Sequence, residues 1–328
     1  MIERNILPIR LLLAGYAIYI LGATHSNKEV RSGPTNQSGC ESSMVLFLCI
    51  AVTMFAFAGN SILTRLALAD ETIDPGSFAL IRLLSGAVFL LVFTFWQKQS
   101  AQLWGPKRIE GMLSLSLYII GFTYAYTKLD TGVGALILFG VVQIVMFAAA
   151  SFSAETIPKH RVTGAIIAFA GLVYLLWPSD TVTMNFSAVL AMVLAGIGWG
   201  AYSIVGRNAG PALPATAASF SLALPICFII IWALSEADQT VLSNYGATLA
   251  VFSGVITSAM GYAIWYRVLP QITSSIAAVS QLTVPVLAMT GGILLLNEVP
   301  TLKFLVASAL VLGGVAIALG LHRTMASE

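Results

Sequence analysis

Ser61-Ile62-Leu63-Thr64-Arg65 closes an apolar run that begins near Met44, and Ser203-Ile204-Val205-Gly206-Arg207 closes another, 142 residues further on. Gly121 with Tyr126-Thr127 recurs as Gly261 with Tyr266-Arg267. Glu155, followed by Pro158 and Gly171, recurs as Glu298, followed by Pro300 and Gly314. The three matches keep their order and fall at corresponding ends of apolar runs. Their offsets, 140 to 143, need only a small insertion, near Pro270-Gln271-Ile272. An internal repeat is therefore read over 44–178 and 187–321, after an N-terminal extension, 1–43.

Outward from these matches, apolar runs between polar breaks give ten expected spans: 44–65, 75–96, 110–128, 132–153, 161–177, 187–206, 214–234, 247–267, 273–296 and 302–321. Each is long enough to cross about 30 Å of hydrocarbon as a helix. The breaks carry turn and charge signals, such as Gly105-Pro106-Lys107-Arg108 and Pro178-Ser179-Asp180. Membrane strands would alternate polar and apolar residues, whereas these runs are apolar on every face. The expected fold class is all-α: a polytopic membrane protein with ten transmembrane helices as a 5+5 inverted repeat. Five is odd, so the second half threads the bilayer in the opposite sense. Inverted repeats build inward-open and outward-open states of similar energy around a site near the midplane. That indicates a transporter working by alternating access, with a cavity where the halves meet.

Composition agrees. Of 328 residues, 58% are hydrophobic and 9% charged, against about 25% charged in soluble domains. Soluble enzymes and nucleic-acid binders are excluded, and a net charge of +2 gives no reason to expect a polyanionic partner. The expected partners are a small-molecule solute and the lipid bilayer. With residue 43 inside, ten of the 16 Lys and Arg fall in inner segments and three in outer ones. The positive-inside bias then puts both ends of the ten-helix body in the cytoplasm, in the cell (inner) membrane. Within 1–43, Leu11 to Ala23 is apolar but short. An eleventh helix, a signal peptide and an extension ahead of a start at Met44 all remain open, the extension being preferred, with 24–43 as a disordered linker.

Sites for other chemistries are missing. Cys40, Cys49 and Cys227 have no CxxC or Cys/His spacing. His25, His160 and His322 lie in polar stretches. There is no GxxxxGK[ST], HExxH or GxSxG. No cofactor, metal or enzymatic activity is expected.

Several short signatures follow one another in order. Phe57-Ala58-Gly59-Asn60 and Arg65-Leu66-Ala67-Leu68 close helix 1, and Asp74-Pro75 with Phe78 and Arg82 opens helix 2. Helix 9 holds Pro285 and ends Leu294-Leu295-Leu296-Asn297-Glu298, and helix 10 holds Leu312-Gly313-Gly314-Val315. In order and layout, from about 44 to 321, the chain resembles the EamA-like family of the drug/metabolite transporter superfamily. The resemblance implies a ten-helix secondary carrier that exports or exchanges small metabolites, often amino acids or drug-like compounds. Two positions depart from the pattern: Val142, where helix 4 would often carry the proline mirrored by Pro285, and Ala154, in place of a glycine before Glu155. Helix 4 is accordingly expected to be straighter than helix 9.

Arg82 is the most informative residue. It lies about 10 Å along helix 2 from Pro75, and its repeat equivalent is Leu224, so the charge is not part of the symmetric scaffold. An intramembrane Arg by default marks function, here paired N–H donors for a substrate carboxylate. The alternative is an Arg whose head reaches the interface while its stem packs. The expected substrate-binding set is Arg82, Asn60, Gln143, Trp199, Tyr202, Tyr262 and Gln281, with Ser203 and Thr283 as further midplane polar residues. Tyr124, Tyr126, Trp265 and Tyr266 are assigned to aromatic belts. Gly196 and Gly200 form a GxxxG packing face, and Pro225 and Pro285 interrupt helices 7 and 9. Glu155 and Glu298 are read as carboxylates at the positive end of the next helix. No Asp or Glu lies deep in a span, so ion coupling must use an end-of-helix acid, use Arg82 with the substrate's own charge, or not exist.

Overall fold

The computed structural model describes residues 36–152, 158–177, 185–234 and 241–319. Glu155, residues 1–35, and His322 fall outside them. The described residues form α1 (Asn36–Ala69), α2 (Pro75–Trp96), α3 (Arg108–Ala125), α4 (Thr131–Phe152), α5 (Lys159–Leu176), α6 (Phe186–Gly206) and α7 (Ala212–Leu234). Then come α8, in which a π-helical segment, Ser253–Met260, joins Asn244–Phe252 to Gly261–Val268, and α9, as Ser274–Gln281 and Val284–Leu296. The last is α10 (Leu302–Leu319). α1 starts earlier than the expected span and takes in part of the expected linker. Extending a helix that is already nucleated costs little.

Local chemistry sets the starts. Asp74 caps α2 by accepting from the Ser77 N–H at 2.8 Å, with Pro75 in the first turn. Asn185, Ser243 and Thr273 cap α6, α8 and α9 in the same way. α9 breaks at Leu282-Thr283, because Pro285 has no N–H to give the Gln281 carbonyl. α4, with Val142 at the matching place, runs unbroken, as expected.

Seven of these helices are long and apolar enough to cross a membrane, at Met44–Ala69, Pro75–Trp96, Thr131–Ala149, Phe186–Gly206, Ala212–Ala233, Asn244–Gln271 and Ile276–Leu296. α5 and α10 contain shorter apolar stretches, Val162–Gly171 and Leu302–Gly314. In α3, Arg108, Glu110 and the Ser114, Ser116 and Tyr118 hydroxyls dilute the apolar content. Large apolar side chains cover the outside, and Trp96, Trp177 and Trp232 are exposed at helix ends, where an aromatic belt would place them.

Loop contacts sort the ends. At one end, Ile73 pairs with Leu242, Arg65 reaches the Tyr126 carbonyl, Tyr124 meets Ser187, and Lys303 bonds the Trp177 carbonyl. At the other, Arg108 bonds the Ala209 carbonyl and Arg207 the Ile272 carbonyl. Repeat-equivalent Arg65 and Arg207 therefore lie at opposite ends.

Helices of one half pack chiefly on helices of the other. α3 and α4 hold α6, α8 and α9 hold α1, α2 packs on α7 and α8, and α5 packs on α10. Exchanging the halves maps this pattern onto itself. Glycines on α6 permit close approach: a Cβ on Gly196 would stand 2.9 Å from the Leu138 carbonyl of α4, and one on Gly198 2.8 Å from the Ser114 carbonyl of α3.

Candidate functional site

The repeat-equivalent rings of Phe57 and Trp199 meet edge-on at 4.9 Å between the halves. Tyr262 lies 4.6 Å from Trp199 and 5.9 Å from Phe57, Tyr118 5.0 Å from Trp199, and Tyr202 5.5 Å from Trp199. All five side chains are buried. This corrects the expectation of a central hollow: where the halves meet, these rings fill the space. Edge-to-face and tilted contacts between these large rings supply the packing energy.

Arg82 lies beside this column, fully buried. Its Nε donates to Ser258 Oγ at 2.9 Å, and its Nη2 donates to the hydroxyls of Tyr118 at 3.1 Å and Tyr262 at 2.7 Å. The guanidinium carbon stands 5.4 Å from the Tyr118 ring centroid and 5.1 Å from that of Phe122, which places positive charge against ring faces. Asn60 Nδ2 donates to the same two hydroxyls, at 3.1 and 2.9 Å. Its Oδ1 accepts from Ser253 at 2.6 Å and Thr257 at 3.2 Å, with Ser258 at 3.5 Å. The site thus draws on α1, α2 and α3 of one half and α8 of the other.

The π segment of α8 brings these hydroxyls together. A wider turn places Ser253, Thr257 and Ser258 on one face, and single π turns recur at functional sites. Gly254 lets α8 lie against α2 at this level: any Cβ would collide with the Arg82 carbonyl and Ser85 Oγ.

The balance of donors and acceptors is one-sided. Arg82 Nη1 is buried with no hydrogen-bond partner among the described residues. Four N–H groups, from Arg82 Nη2 and Asn60 Nδ2, already converge on two phenol oxygens. The described ion pairs are Arg65–Asp130, Arg65–Glu298 and Lys107–Glu110, so no described carboxylate pairs with Arg82. A buried cation normally has a counter-charge. The interface alternative for Arg82 is excluded by its burial.

The other expected residues divide. Trp199 Nε1 donates to Gln281 Oε1 at 2.6 Å, linking α6 to α9, and Gln281 Nε2 donates to the Ala277 carbonyl at 3.1 Å. The Tyr202 ring lies tilted against Tyr266 at 4.6 Å, and the Tyr266 hydroxyl donates to the Tyr202 carbonyl. Gln143 is elsewhere, in a cavity of about 40 Å³ lined by residues of α4, α5, α9 and α10, including Gly140, Ala168, Leu282 and Val311. Both atoms of its amide lack hydrogen-bond partners among the described residues. Thr283 is exposed at the α9 break and bonds the Ser280 carbonyl.

Three belt assignments are corrected. Tyr126, Trp265 and Tyr266 are buried, because each polar tip finds an interior acceptor: the Thr131 carbonyl, Ser203 Oγ and the Tyr202 carbonyl. Tyr124 is exposed at a helix end, as expected. Sequence reasoning missed Phe57, Tyr118, Phe122, Ser253, Thr257 and Ser258 as parts of the site. A polar stripe at i, i+4, i+5 and i+9 in α8, ending at Tyr262, was the available signal.

A helical, lipid-compatible body of two repeats around a buried polar network is the architecture of a multi-pass membrane transporter. The chain belongs to the EamA-like transporter family, whose signature matches twice, at residues 43–177 and 186–320. It is 39% identical over 274 residues to Uncharacterized protein PA1977 of Pseudomonas aeruginosa, covering 83% of this chain and 93% of that one. An uncharacterized transporter of Archaeoglobus fulgidus is 25% identical over 294 residues, 86% of this chain and 97% of its own. Uncharacterized transporter YoaV of Bacillus subtilis is 23% identical over 257 residues, 74% and 86% of the two chains. A crystal structure at 17% identity shares the fold, with a TM-score of 0.66 over 85% of this chain and 98% of the other.

Proposed function

We propose that the chain is a secondary carrier and not an enzyme, exporting a small carboxylate-bearing metabolite, amino-acid-like or drug-like, across the inner membrane by alternating access. Ten spans as a 5+5 inverted repeat underlie this reading. It is supported by the opposite placement of Arg65 and Arg207 and by helix packing that survives exchange of the halves. Lys98, Lys107, Arg108, Arg207 and Arg267 gather at one end, which by the positive-inside bias faces the cytoplasm.

The observation that carries the reading is the Arg82 network. It holds a full positive charge, excess donors and no described carboxylate. In the closed state the Tyr118 and Tyr262 hydroxyls, 3.1 Å apart, stand in for the two oxygens of an incoming carboxylate. The solute displaces them, and Arg82 with Asn60 then takes the carboxylate by charge-assisted hydrogen bonds. Trp199, Tyr202 and Tyr262 provide the apolar walls, Gln281 fixes the Trp199 ring, and Gln143 offers a separate polar position for a more distant group of the solute.

A growth-resistance screen on overexpression, followed by uptake into inside-out vesicles, tests this. Acids are expected to accumulate and their methyl esters or amides not. Equal uptake of an acid and its neutral ester would refute an anionic anchor.

A further inference from the structure

Gln143 sits well inside the membrane, apart from the Arg82 network. It lies twelve residues beyond Thr131 in the apolar stretch Thr131–Ala149 of α4, about 18 Å along the helix. At that depth the bilayer offers no water to a polar group. The residue is 4% exposed, and neither its Nε2 nor its Oε1 has a hydrogen-bond partner among the described residues. An apolar side chain would fill the same space without the cost of a buried, unpaired amide. The other glutamine at this level is already occupied: Gln281 accepts from Trp199 and donates to the Ala277 carbonyl.

The amide lines a cavity of about 40 Å³. Leu282 of α9 and Val311 of α10 close it on the inside, and both are buried. Ile144 of α4 and Phe169 of α5 stand at its other edge, 43% and 50% exposed, on the outer surface that large apolar side chains cover. The mouth therefore opens to lipid.

Shape and chemistry restrict what fits. Among the described residues no charged side chain lines the cavity, so an ion would be buried without a counter-charge. A metal cation would find one side-chain oxygen where it needs several. A water takes about 10–15 Å³ of such space, so the cavity holds about three non-hydrogen atoms. Three waters would share one amide, whereas a buried water makes about three hydrogen bonds. The head of a primary amide has three such atoms. Its carbonyl accepts from Gln143 Nε2 while its N–H donates to Gln143 Oε1, which satisfies both atoms together. An apolar tail then leaves through the mouth into lipid.

We propose that the Gln143 cavity is a lateral binding site for a lipophilic primary amide, entered from the bilayer between Ile144 and Phe169. α4 and α5 belong to one repeat and α9 and α10 to the other. The occupant therefore touches both halves, beside the break in α9 at Leu282. The transport reading gives Gln143 a remote group of the solute; the cavity admits that group only if it is neutral, and it admits a lipophilic molecule from the bilayer directly. The site and its test need no solute flux.

The test uses the full chain in lipid nanodiscs and radiolabelled dodecanamide, with empty nanodiscs giving the background partition. The expected result is saturable binding above that background. Gln143→Leu should weaken it about tenfold or more, the factor for two neutral hydrogen bonds. N,N-dimethyldodecanamide, which has the same tail but no N–H for Oε1, should bind the parent more weakly by a similar factor. Should Gln143→Leu not fold, Ala165→Phe, which fills the cavity from α5, carries the test and should abolish the binding. No saturable binding in the parent, equal affinity in the variant used, or equal affinity for the dimethyl amide overturns the proposal. So does a structure determined with saturating dodecanamide in which ordered water alone fills the cavity. Failure of the carrier reading would appear separately, as absence of solute flux in the parent protein.

Discussion

Replacing Arg82 with Met separates a binding role from a structural one. Met keeps much of the side-chain length and removes the charge. Three donated hydrogen bonds disappear, to Ser258, Tyr118 and Tyr262. Their former acceptors keep partners: both phenols still receive Asn60 Nδ2, and Ser258 Oγ remains near Asn60 Oδ1. The substitution therefore removes a buried cation with no described carboxylate partner and leaves few groups unsatisfied. Apolar replacement of buried ionic groups is often neutral or stabilising by about 1–4 kcal/mol. Binding should move the other way. Each hydrogen bond to a charged group is worth about 1.5–3 kcal/mol, so losing a paired contact to a carboxylate should weaken affinity at least 100-fold. The assays are thermal unfolding of the detergent-solubilised protein and vesicle uptake of a carboxylate found by the screen. The expected outcome is an unchanged or raised Tm with uptake abolished. A Tm lowered by several degrees with uptake intact would refute the reasoning, because Arg82 would then be a structural residue.

Trp199→Phe leaves Gln281 Oε1 buried without its 2.6 Å donor, at an expected cost of about 1–3 kcal/mol. Adding Gln281→Leu should recover much of that loss in a double-mutant cycle read by thermal unfolding. Gly198→Ala places a Cβ 2.7 Å from the Tyr118 backbone nitrogen and should cost about 1–3 kcal/mol, since a backbone must shift. Gly313→Ala meets nothing within 4 Å and should leave Tm within a degree or two or raise it. Single cysteines at Thr72 and Gly105, in an otherwise cysteine-free chain, should label from opposite sides of the membrane in intact cells. Labelling of both from one side would refute the threading.

The repeat and the apolar helices were legible because each is written locally, in runs of neighbours and in matches at one offset. Arg82 was legible for the same reason, as a charge set in an apolar run. Its partners were not. Tyr118 and Tyr262 lie 36 and 180 residues away along the chain, and a Ser or Thr in an apolar helix most often bonds its own backbone, as Thr64 bonds the Asn60 carbonyl. Which face of α8 turns inward depends on its π segment and on the approach that Gly254 allows, neither of which shows in periodicity.

Tertiary packing alone decided that Gln143 sits in a cavity away from Arg82, that Glu298 caps α4, through the Thr131 N–H, and not α10, and that aromatic rings fill the place where a hollow was expected. Sequence by itself determined what must be hidden from water and where the two repeats lie along the chain. The choice of partners across the two halves belongs to the folded state, because it turns on close contacts between residues far apart in the chain.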